Sequence, residues 1–211
     1  MKMIDLSHTI STGMTVYPGT ATPEFSDQCT INRDGFCEKK ITMFSHTGTH
    51  VDAPSHIFKK AKSLDQIPIS GFSGNASVLD FSHIQKTVIT YQDLARYEPL
   101  LIKSDFILLF TGWYKKWGEA AYLKNFPALS IEAAEWIANF SLKGIGVDMI
   151  SVDQTDTRNF PIHRIFLKKN ILIIENLTAL KELVNIDFTF FCFPMKVENS
   201  DGAPVRAVAQ V

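Results

Sequence analysis

"HTGTHVDAPSH" spans residues 46–56 and concentrates three histidines and one aspartate in eleven positions. Alternate side chains of an extended strand point to the same face, so His46, His50 and Asp52 would lie together on a strand. On an α-helix, at about 100° per residue, Asp52 would turn away from both histidines. The threonines and the valine between them also favour extended backbone. We therefore predict that this stretch forms a strand.

The end of this strand is predicted from Pro54, which cannot donate a hydrogen bond to a neighbouring strand. His56 is then expected on the loop that follows, in a role different from that of the other two histidines. Gly48, which has no side chain, would leave space where an ion or a substrate approaches the backbone.

Two imidazoles and one carboxylate on a single face are a donor set that suits Zn²⁺, Mn²⁺ or Fe²⁺. The alternative is that these histidines are ordinary surface or half-buried strand residues with their hydrogen bonds satisfied. Burying so many polar groups without a cation would leave several of them needing partners, at about 1 to 3 kcal/mol each. The clustering therefore favours a metal site.

Further ligands are expected at the ends of other apolar runs, because one strand cannot supply all the ligands of a metal. The segment HRIFLKKNILIIENL offers His163 at its start and Glu175 at the end of the run NILII. A carboxylate that ends a buried strand needs a cation or several hydrogen-bond donors. Taken alone, each residue also has a structural interpretation: a surface loop histidine for His163, and a cap or an ion pair for Glu175.

The composition of the 211 residues, 45% of them hydrophobic, predicts one domain over residues 1–211. The net charge is −1 and the Lys and Arg residues are scattered, so we expect neither nucleic acid nor a membrane surface as a partner. The chain lacks a signal-peptide pattern and any apolar run near the roughly 20 residues of a membrane helix, so a cytoplasmic protein is expected. Three widely spaced cysteines, Cys29, Cys37 and Cys192, fit reduced thiols.

Six short apolar runs have the length and the β-branched or aromatic content of strands. These runs cover residues 76–81, 105–110, 144–150, 170–174, 188–193 and 204–211. Two helices are also predicted: SIEAAEWIANF, which begins at the N-cap Ser130, and TYQDLARY, in which Thr90 and Asp93 resemble a capping box. Many strands with few interspersed helices indicate a mixed α/β fold.

The histidine-rich stretch also resembles the signature HxGTHxDxPxH of the cyclase family of metal-dependent hydrolases, without a departure. That family includes bacterial kynurenine formamidase and isatin hydrolase. The similarity extends over nearly the whole chain, through DLSHTIS, VYPGT, FTGWYKKW, LSIEAAEWI, GIGVDMISVD, HRIFLKKNILIIENL and GAPVRAVA. The resemblance implies a layered β/β/α domain of the swivelling type with a mixed sheet, assembled as a homodimer or a larger homo-oligomer.

The resemblance also implies a metal site built from five side chains, namely His46, His50, Asp52, His163 and Glu175. Asp52 and Glu175 would serve both a first ion and a second one. His56 would be the catalytic acid/base, which agrees with its expected place beyond the strand. The metal is zinc in the formamidase and manganese in isatin hydrolase, and we expect zinc here, with one or two ions.

The function that the resemblance implies is hydrolysis of an amide or a lactam, with an arylformamide such as N-formylkynurenine as the example. An isatin-type lactam or lactone hydrolase or cyclase, and a non-catalytic module that binds a metal or a small molecule, remain alternatives. Tyr17, in VYPGT, stands where the similar formamidases have a tryptophan that lines the substrate pocket, so we expect Tyr17 to bind the substrate.

Some polar residues receive no catalytic role from the sequence. The stretch GFSGN, residues 71–75, lacks the second glycine of a nucleophile elbow, which argues against a serine hydrolase. Asp148 and Asp153, in GVDMISVD, either support the site as hydrogen-bond partners of ligands or simply cap and turn the chain.

Overall fold

Thirteen strands, five α-helices and several 3₁₀-helices make up the computed structural model, which describes residues 1–211. The strands are β1 (Met3–Asp5), β2 (Glu24–Cys29), β3 (Glu38–Thr42), β4 (His50–Asp52), β5 (Ser73–Asp80), β6 (Val88–Ile89), β7 (Phe106–Phe110), β8 (Ala128–Leu129), β9 (Gly144–Val147), β10 (Leu172–Glu175), β11 (Phe188–Phe191), β12 (Gly202–Pro204) and β13 (Val208–Gln210). The α-helices are α1 (Ile31–Asp34), α2 (Tyr91–Leu94), α3 (Glu98–Lys103), α4 (Ile131–Ile137) and α5 (Pro161–Lys168). The 3₁₀-helices cover Pro54–His56, Leu64–Gln66, Ile69–Phe72, Ala95–Tyr97, Trp113–Lys116, Ala120–Leu123 and Leu180–Leu183. No helix is both long enough and apolar enough to cross a membrane.

Nine of the strands form one mixed sheet, in the order β1-β13-β11-β5-β7-β9-β10-β4-β12. Its centre, from β5 to β10, is parallel. Antiparallel strands flank this centre on both sides, with β4 and β12 beyond β10, and with β11, β13 and β1 beyond β5. Two further pairs, β2 with β3 and β6 with β8, form separate two-stranded sheets.

The central strands are buried on both faces because apolar side chains alternate across the sheet. In β7, Ile107 and Leu109 belong to a core that also contains the buried apolar residues of α4 and α5. Phe106, Leu108 and Phe110 belong to a second core on the opposite face. That second core also takes side chains from β1, β4, β12 and β13, so strands from both edges of the sheet surround it.

The segment that joins β12 to β13 shows how the sheet curls. β12 lies at one edge of the sheet, whereas β13 pairs with β1 and β11 near the opposite edge. Past the ends of β1 and β10, Ser7 and Leu177 form a β-bridge between these two parts of the sheet. The outer strands therefore face each other across the second core, and the helices form a third layer. This mixed α/β architecture confirms the layered β/β/α fold of the swivelling type with a mixed sheet.

Each of the six predicted strands overlaps an observed strand, although the ends differ, and the runs at 144–150 and 204–211 show two of the reasons. The run at 144–150 stops at the end of β9, where the Asp148 carboxylate accepts hydrogen bonds from the backbone N–H groups of Thr111 and Gly112. The run at 204–211 is divided between β12 and β13, because the chain passes there from one edge of the sheet toward the other.

Both predicted helices are present, with the predicted caps. Ser130 Oγ accepts a hydrogen bond from the Ala133 N–H at 3.1 Å at the start of α4. At the start of α2, the Thr90 N–H donates to the Asp93 carboxylate at 2.8 Å. The sequence reading missed α5, whose signal is Pro161 at its first turn, a position where proline's fixed φ suits a helix.

The β2–β3 hairpin stands apart from both cores. No residue of β3 or of the short helix α1 between the strands is buried. Ile31, Phe36 and Ile41 are 68%, 55% and 54% exposed. The rest of the chain therefore does not cover these apolar side chains.

Candidate metal centre

The histidine-rich stretch forms a turn followed by a short strand. Only His50–Asp52 is a strand, so the predicted strand over residues 46–52 is wrong in its first half. The cause is Gly48, whose φ of +66° lies in the left-handed region that ends a strand. A Cβ on Gly48 would come within 3.2 Å of Ile10 and 3.3 Å of Met14. This glycine therefore turns the chain against apolar side chains, and the predicted space for an ion beside it is not there.

Strand β4 brings distant parts of the chain together because it lies between β10 and β12. Glu175 in β10 is directly opposite His50, and Gly202 in β12 is directly opposite Asp52. Side chains of opposed residues lie on the same face of a sheet, and so do residues two apart on one strand. His50, Asp52 and Glu175 therefore converge on one buried face.

His163 enters this face from helix α5 rather than from a surface loop. The Asp153 carboxylate accepts hydrogen bonds from the backbone N–H groups of Ile162 and His163 at 3.1 and 3.0 Å, which caps the helix. The same carboxylate lies 2.7 Å from Nδ1 of His163. The other ring nitrogen, Nε2, lies 3.5 Å from Glu175 Oε1 and 3.6 Å from Asp52 Oδ2. Asp153 therefore both orients the His163 ring and caps helix α5.

All five predicted ligands meet in one cluster. His46 Nδ1 lies 2.7 Å from Asp52 Oδ1, and His50 Nε2 lies 3.2 Å from the same oxygen and 3.4 Å from Glu175 Oε2. Within these five residues, two groups of three have ligand atoms within 4.8 Å of one another. These groups are His46 with His50 and Asp52, and Asp52 with His163 and Glu175.

The residues present fit a divalent metal ion. Two buried atoms of the cluster, His50 Nε2 and Asp52 Oδ2, make no hydrogen bond, although His50 Nε2 lies 3.2 Å from Asp52 Oδ1. An unpaired buried polar atom costs about 1 to 3 kcal/mol, so both atoms need a partner that the protein does not supply. His50 Nδ1 lies 2.8 Å from the Gly48 carbonyl and donates to it, which leaves the Nε2 lone pair toward the carboxylates. Imidazole nitrogens with carboxylate oxygens are the donors that Zn²⁺ and Mn²⁺ accept.

Buried carboxylates draw positive charge into the cluster. Burial disfavours protonated imidazoles, but Asp52 and Asp201 together raise the pKa of His46 to about 9, and Asp52 and Glu175 together raise the pKa of His50 to about 10. Burial also disfavours ionised Asp52, yet His46 and His50 hold the pKa of this carboxyl well below its usual value. Since metal ligands must be unprotonated, protons and a cation compete for the same atoms.

A cavity of about 330 Å³ opens beside the five ligands and exposes them to small molecules. His56 also lines this cavity, from the 3₁₀-helix Pro54–His56 that follows β4, so it lies beyond the strand as predicted. Tyr17 lines the same cavity, and its hydroxyl donates to the Thr155 carbonyl at 3.4 Å. Phe44 and Phe160 add apolar surface to the wall.

The sequence reading missed Asp201, which also lines the cavity. Its Oδ2 lies 3.1 Å from His46 Nε2 and 3.3 Å from His56 Nδ1. Its Oδ1 accepts a hydrogen bond from Ser45 Oγ at 3.0 Å. In the sequence this residue belongs to an Asp-Gly pair, which is also a common turn signal, so nothing in the pattern distinguished a site residue from a turn residue.

Gly202 is expected to be required for metal binding, because a Cβ there would come within 2.5 Å of the His46 ring. Gly202→Ala should displace this ring and weaken binding of the metal by about 10- to 100-fold, as loss of ligand orientation does elsewhere. Zinc affinity, measured by competition with a chromophoric chelator, checks this expectation. Gly13→Ala is the matched control, since nothing lies within 4 Å of a Cβ at Gly13. Equal zinc affinity in both variants would contradict the assignment.

Two kinds of comparison place this chain among known proteins. Kynurenine formamidases of Bacillus thuringiensis (strain Al Hakam) and Bacillus mycoides (strain KBAB4) are 28% and 29% identical over 208 residues, which cover 98% of this chain and 96% of each relative. The structure of a predicted metal-dependent hydrolase from Bacillus stearothermophilus superposes with a TM-score of 0.82 at 27% identity, covering 99% of this chain and 97% of that one. Isatin hydrolase A from Labrenzia aggregata, bound to benzyl benzoate, shares the fold with a TM-score of 0.90 at 24% identity, covering 100% of this chain and 93% of that one.

A protein-family model also matches a long continuous stretch of this sequence. Residues 4–154 match the family described as "Putative cyclase". The matched stretch contains His46, His50, Asp52 and His56, and so includes the whole histidine-rich motif. The motif, the fold and the family model thus agree, and the chain belongs to the cyclase family.

Proposed function

We propose that the protein is a metal-dependent hydrolase that cleaves the C–N bond of an amide or a lactam, with arylformamides such as N-formylkynurenine as its substrate class. The observation that carries this proposal is the convergence of five metal-ligand side chains and His56 on one cavity. The kynurenine formamidases that align with 98% of the chain give further support.

The proposed metal ligands are His46, His50, Asp52, His163 and Glu175. A divalent ion held by them would polarise a substrate carbonyl and lower the pKa of a coordinated water toward about 7. Asp52 belongs to both groups of possible ligands, which supports one ion or a pair that shares this carboxylate. We propose zinc as the metal, with manganese as the alternative, because both accept this mixture of nitrogen and oxygen.

His56 is the proposed acid/base. Its Nδ1 faces the Asp201 carboxylate, so Nε2 is the nitrogen free to exchange a proton with the substrate. Burial lowers the pKa of His56 below its usual value, so the imidazole is neutral at physiological pH and ready to accept a proton. His56 would take a proton from the attacking water and deliver it to the departing nitrogen.

The cavity supports a small substrate with one aromatic ring. Its volume of about 330 Å³ lies at the low end of the range of about 300 to 1,000 Å³ that is usual for ligand sites. Tyr17, Phe44, Ile150 and Phe160 supply an apolar wall, while the polar cluster forms the other side. Tyr17 is proposed to contact the ring of the substrate.

Two alternatives make different demands on the same cavity. An isatin-type lactam or lactone hydrolase or cyclase would use the same ligands on a cyclic substrate, and the fold shared with isatin hydrolase A is compatible with it. A non-catalytic module would keep the ligands but would not need His56, so the presence of this histidine in the cavity favours an enzyme.

Purified protein loaded with zinc is expected to hydrolyse N-formylkynurenine to kynurenine and formate, because the proposed site combines a Lewis acid with an acid/base. Isatin, simple lactams and lactones should be assayed beside it, with zinc and with manganese. A chelator should abolish the activity, and added metal should restore it. Protein that retains stoichiometric metal but hydrolyses no member of this panel would be a binding module.

His56→Ala should keep the metal and lose turnover by about 10²- to 10⁴-fold, the usual contribution of a general acid/base. The measurement is kcat together with the zinc content of the same sample. His83→Ala is the control, because His83 lies outside the cavity and contacts Arg96 on the surface. Full turnover in His56→Ala would refute the assigned role.

We further propose that the protein is a homodimer that covers the β2–β3 hairpin. The exposed Ile31, Phe36 and Ile41 support this, because a hairpin that buries no residue of its second strand gains little stability alone. The hairpin leads directly into Phe44, which is 57% exposed and lines the cavity, so a second copy on the hairpin would also approach the cavity.

Sedimentation velocity tests the dimer. The wild type should sediment as a dimer, and the double variant Phe36→Ser, Ile41→Ser should sediment as a monomer, because it removes apolar surface from the proposed contact. Ile102→Ser is the matched control, since Ile102 is 70% exposed on α3 and lies outside the hairpin. A monomeric wild type, or a double variant that stays dimeric, would contradict this contact.

We also propose a cytoplasmic location. The chain contains three free cysteines, Cys29, Cys37 and Cys192, and free thiols persist in a reducing compartment.

A further inference from the structure

One carboxylate oxygen of the cavity lies within hydrogen-bond distance of two histidines with different proposed roles. Asp201 Oδ2 lies 3.1 Å from Nε2 of His46, a proposed metal ligand, and 3.3 Å from Nδ1 of His56, the proposed acid/base. The rings of these two histidines lie 4.0 Å apart between centroids. Asp201 is therefore the side chain that contacts both the metal cluster and the residue that moves protons.

We propose that Asp201 is a positioning residue that fixes the tautomers and ring orientations of His46 and His56. The part of this inference that concerns turnover rests on the proposed function. Neither the histidine-rich motif nor the rest of the sequence indicated a role for Asp201. Its physical basis is that the hydrogen bond of one imidazole nitrogen decides which nitrogen keeps its lone pair.

For His56, donation from Nδ1–H to Asp201 leaves the Nε2 lone pair free to accept a proton. For His46, donation from Nε2–H to the same oxygen leaves Nδ1, which faces Asp52 at 2.7 Å, as the nitrogen that would bind a metal in place of its proton. Each histidine thus presents the nitrogen that its proposed role requires. The opposite tautomer would point an N–H at the place where the lone pair is needed.

The carboxylate itself is held in place on its other side. Ser45 Oγ donates to Asp201 Oδ1 at 3.0 Å. The Ala53 N–H donates to the Asp201 backbone carbonyl at 2.8 Å, which ties this residue to the end of β4. The neighbouring Gly202 lets the His46 ring approach the backbone closely. Asp201 therefore has the fixed position that an orienting group needs.

The tautomers can be measured without any enzymatic turnover. Two-bond ¹H–¹⁵N correlation spectra of zinc-loaded protein labelled with ¹⁵N-histidine distinguish Nδ1–H from Nε2–H imidazole, and His56→Ala assigns the His56 signals. Wild-type His56 is expected as the neutral Nδ1–H tautomer at neutral pH. Asp201→Ala should shift it to a mixture or to the Nε2–H form. An unchanged His56 tautomer in Asp201→Ala overturns the proposal.

Turnover tests whether Asp201 acts through His56. Asp201→Ala should lower kcat by about 10- to 100-fold, the usual effect of losing a partner that orients a catalytic or ligand group, with KM changed less than about 3-fold. In the His56→Ala background the same substitution should lower kcat clearly less than it does in the wild type, because only its contact with His46 then remains. An equal loss in both backgrounds overturns this coupling.

The controls separate positioning from other roles. Asp5→Ala removes a carboxylate of similar exposure, 46% against 44% for Asp201, that contacts Arg206 rather than a histidine, and it should leave both tautomer and kcat unchanged. Asp201→Asn keeps the size of the side chain and should give an intermediate effect. Loss of one whole zinc ion per chain in both Asp201 variants would make Asp201 a ligand and overturn the positioning role, since His46, His56 and Asp201 also lie close enough to share an ion.

If no substrate of the panel is hydrolysed, the proposed function fails while the tautomer measurement still decides the role of Asp201. If turnover is present and the tautomer is insensitive to Asp201, the positioning role fails while the proposed function stands.

Discussion

The burial of two charged carboxylates is the main constraint on this structure. Asp52 and Glu175 lie on neighbouring strands, both almost fully buried, and a charge removed from water needs compensation close by. Three imidazoles provide part of it: His46 and His50 from the motif itself, and His163 from a helix more than a hundred positions later in the chain. The unpaired nitrogen of His50 and the unpaired oxygen of Asp52 show that protein groups alone do not complete the arrangement. A divalent cation would complete it with the donors already in place.

The sheet is what makes such a cluster possible. β4 has only three residues, yet it separates β10 from β12 and thereby brings residues near positions 50, 175 and 202 into register. Its short length follows from the left-handed turn at Gly48 on one side and from Pro54 on the other. In a longer regular strand, His46 would lie farther along the sheet from Asp52. The turn instead brings the His46 ring into contact with the Asp52 carboxylate.

Sequence reasoning succeeded where the chemistry was local or periodic. The six apolar runs predicted strands of the central sheet, and the caps at Ser130 and Thr90 predicted two helix starts, because these features depend on neighbours a few positions away. The five candidate ligands do meet, although the strand proposed for the first of them is mostly a turn. Asp201 and the helix that carries His163 were missed. Their importance depends on contacts made across more than a hundred positions, which no short pattern records.

The position of the edge strand β12 affects how the site forms during folding. Asp201, which directly precedes this strand, contacts Ser45 across a separation of 156 positions. Contacts between such remote parts of a chain form slowly, because they must overcome the entropy of closing a long loop. Any cation captured before this contact forms would meet a His46 ring that Asp201 does not yet orient. The orientation of the His46 and His56 rings is therefore complete only when β12 docks against β4 and brings Asp201 to them.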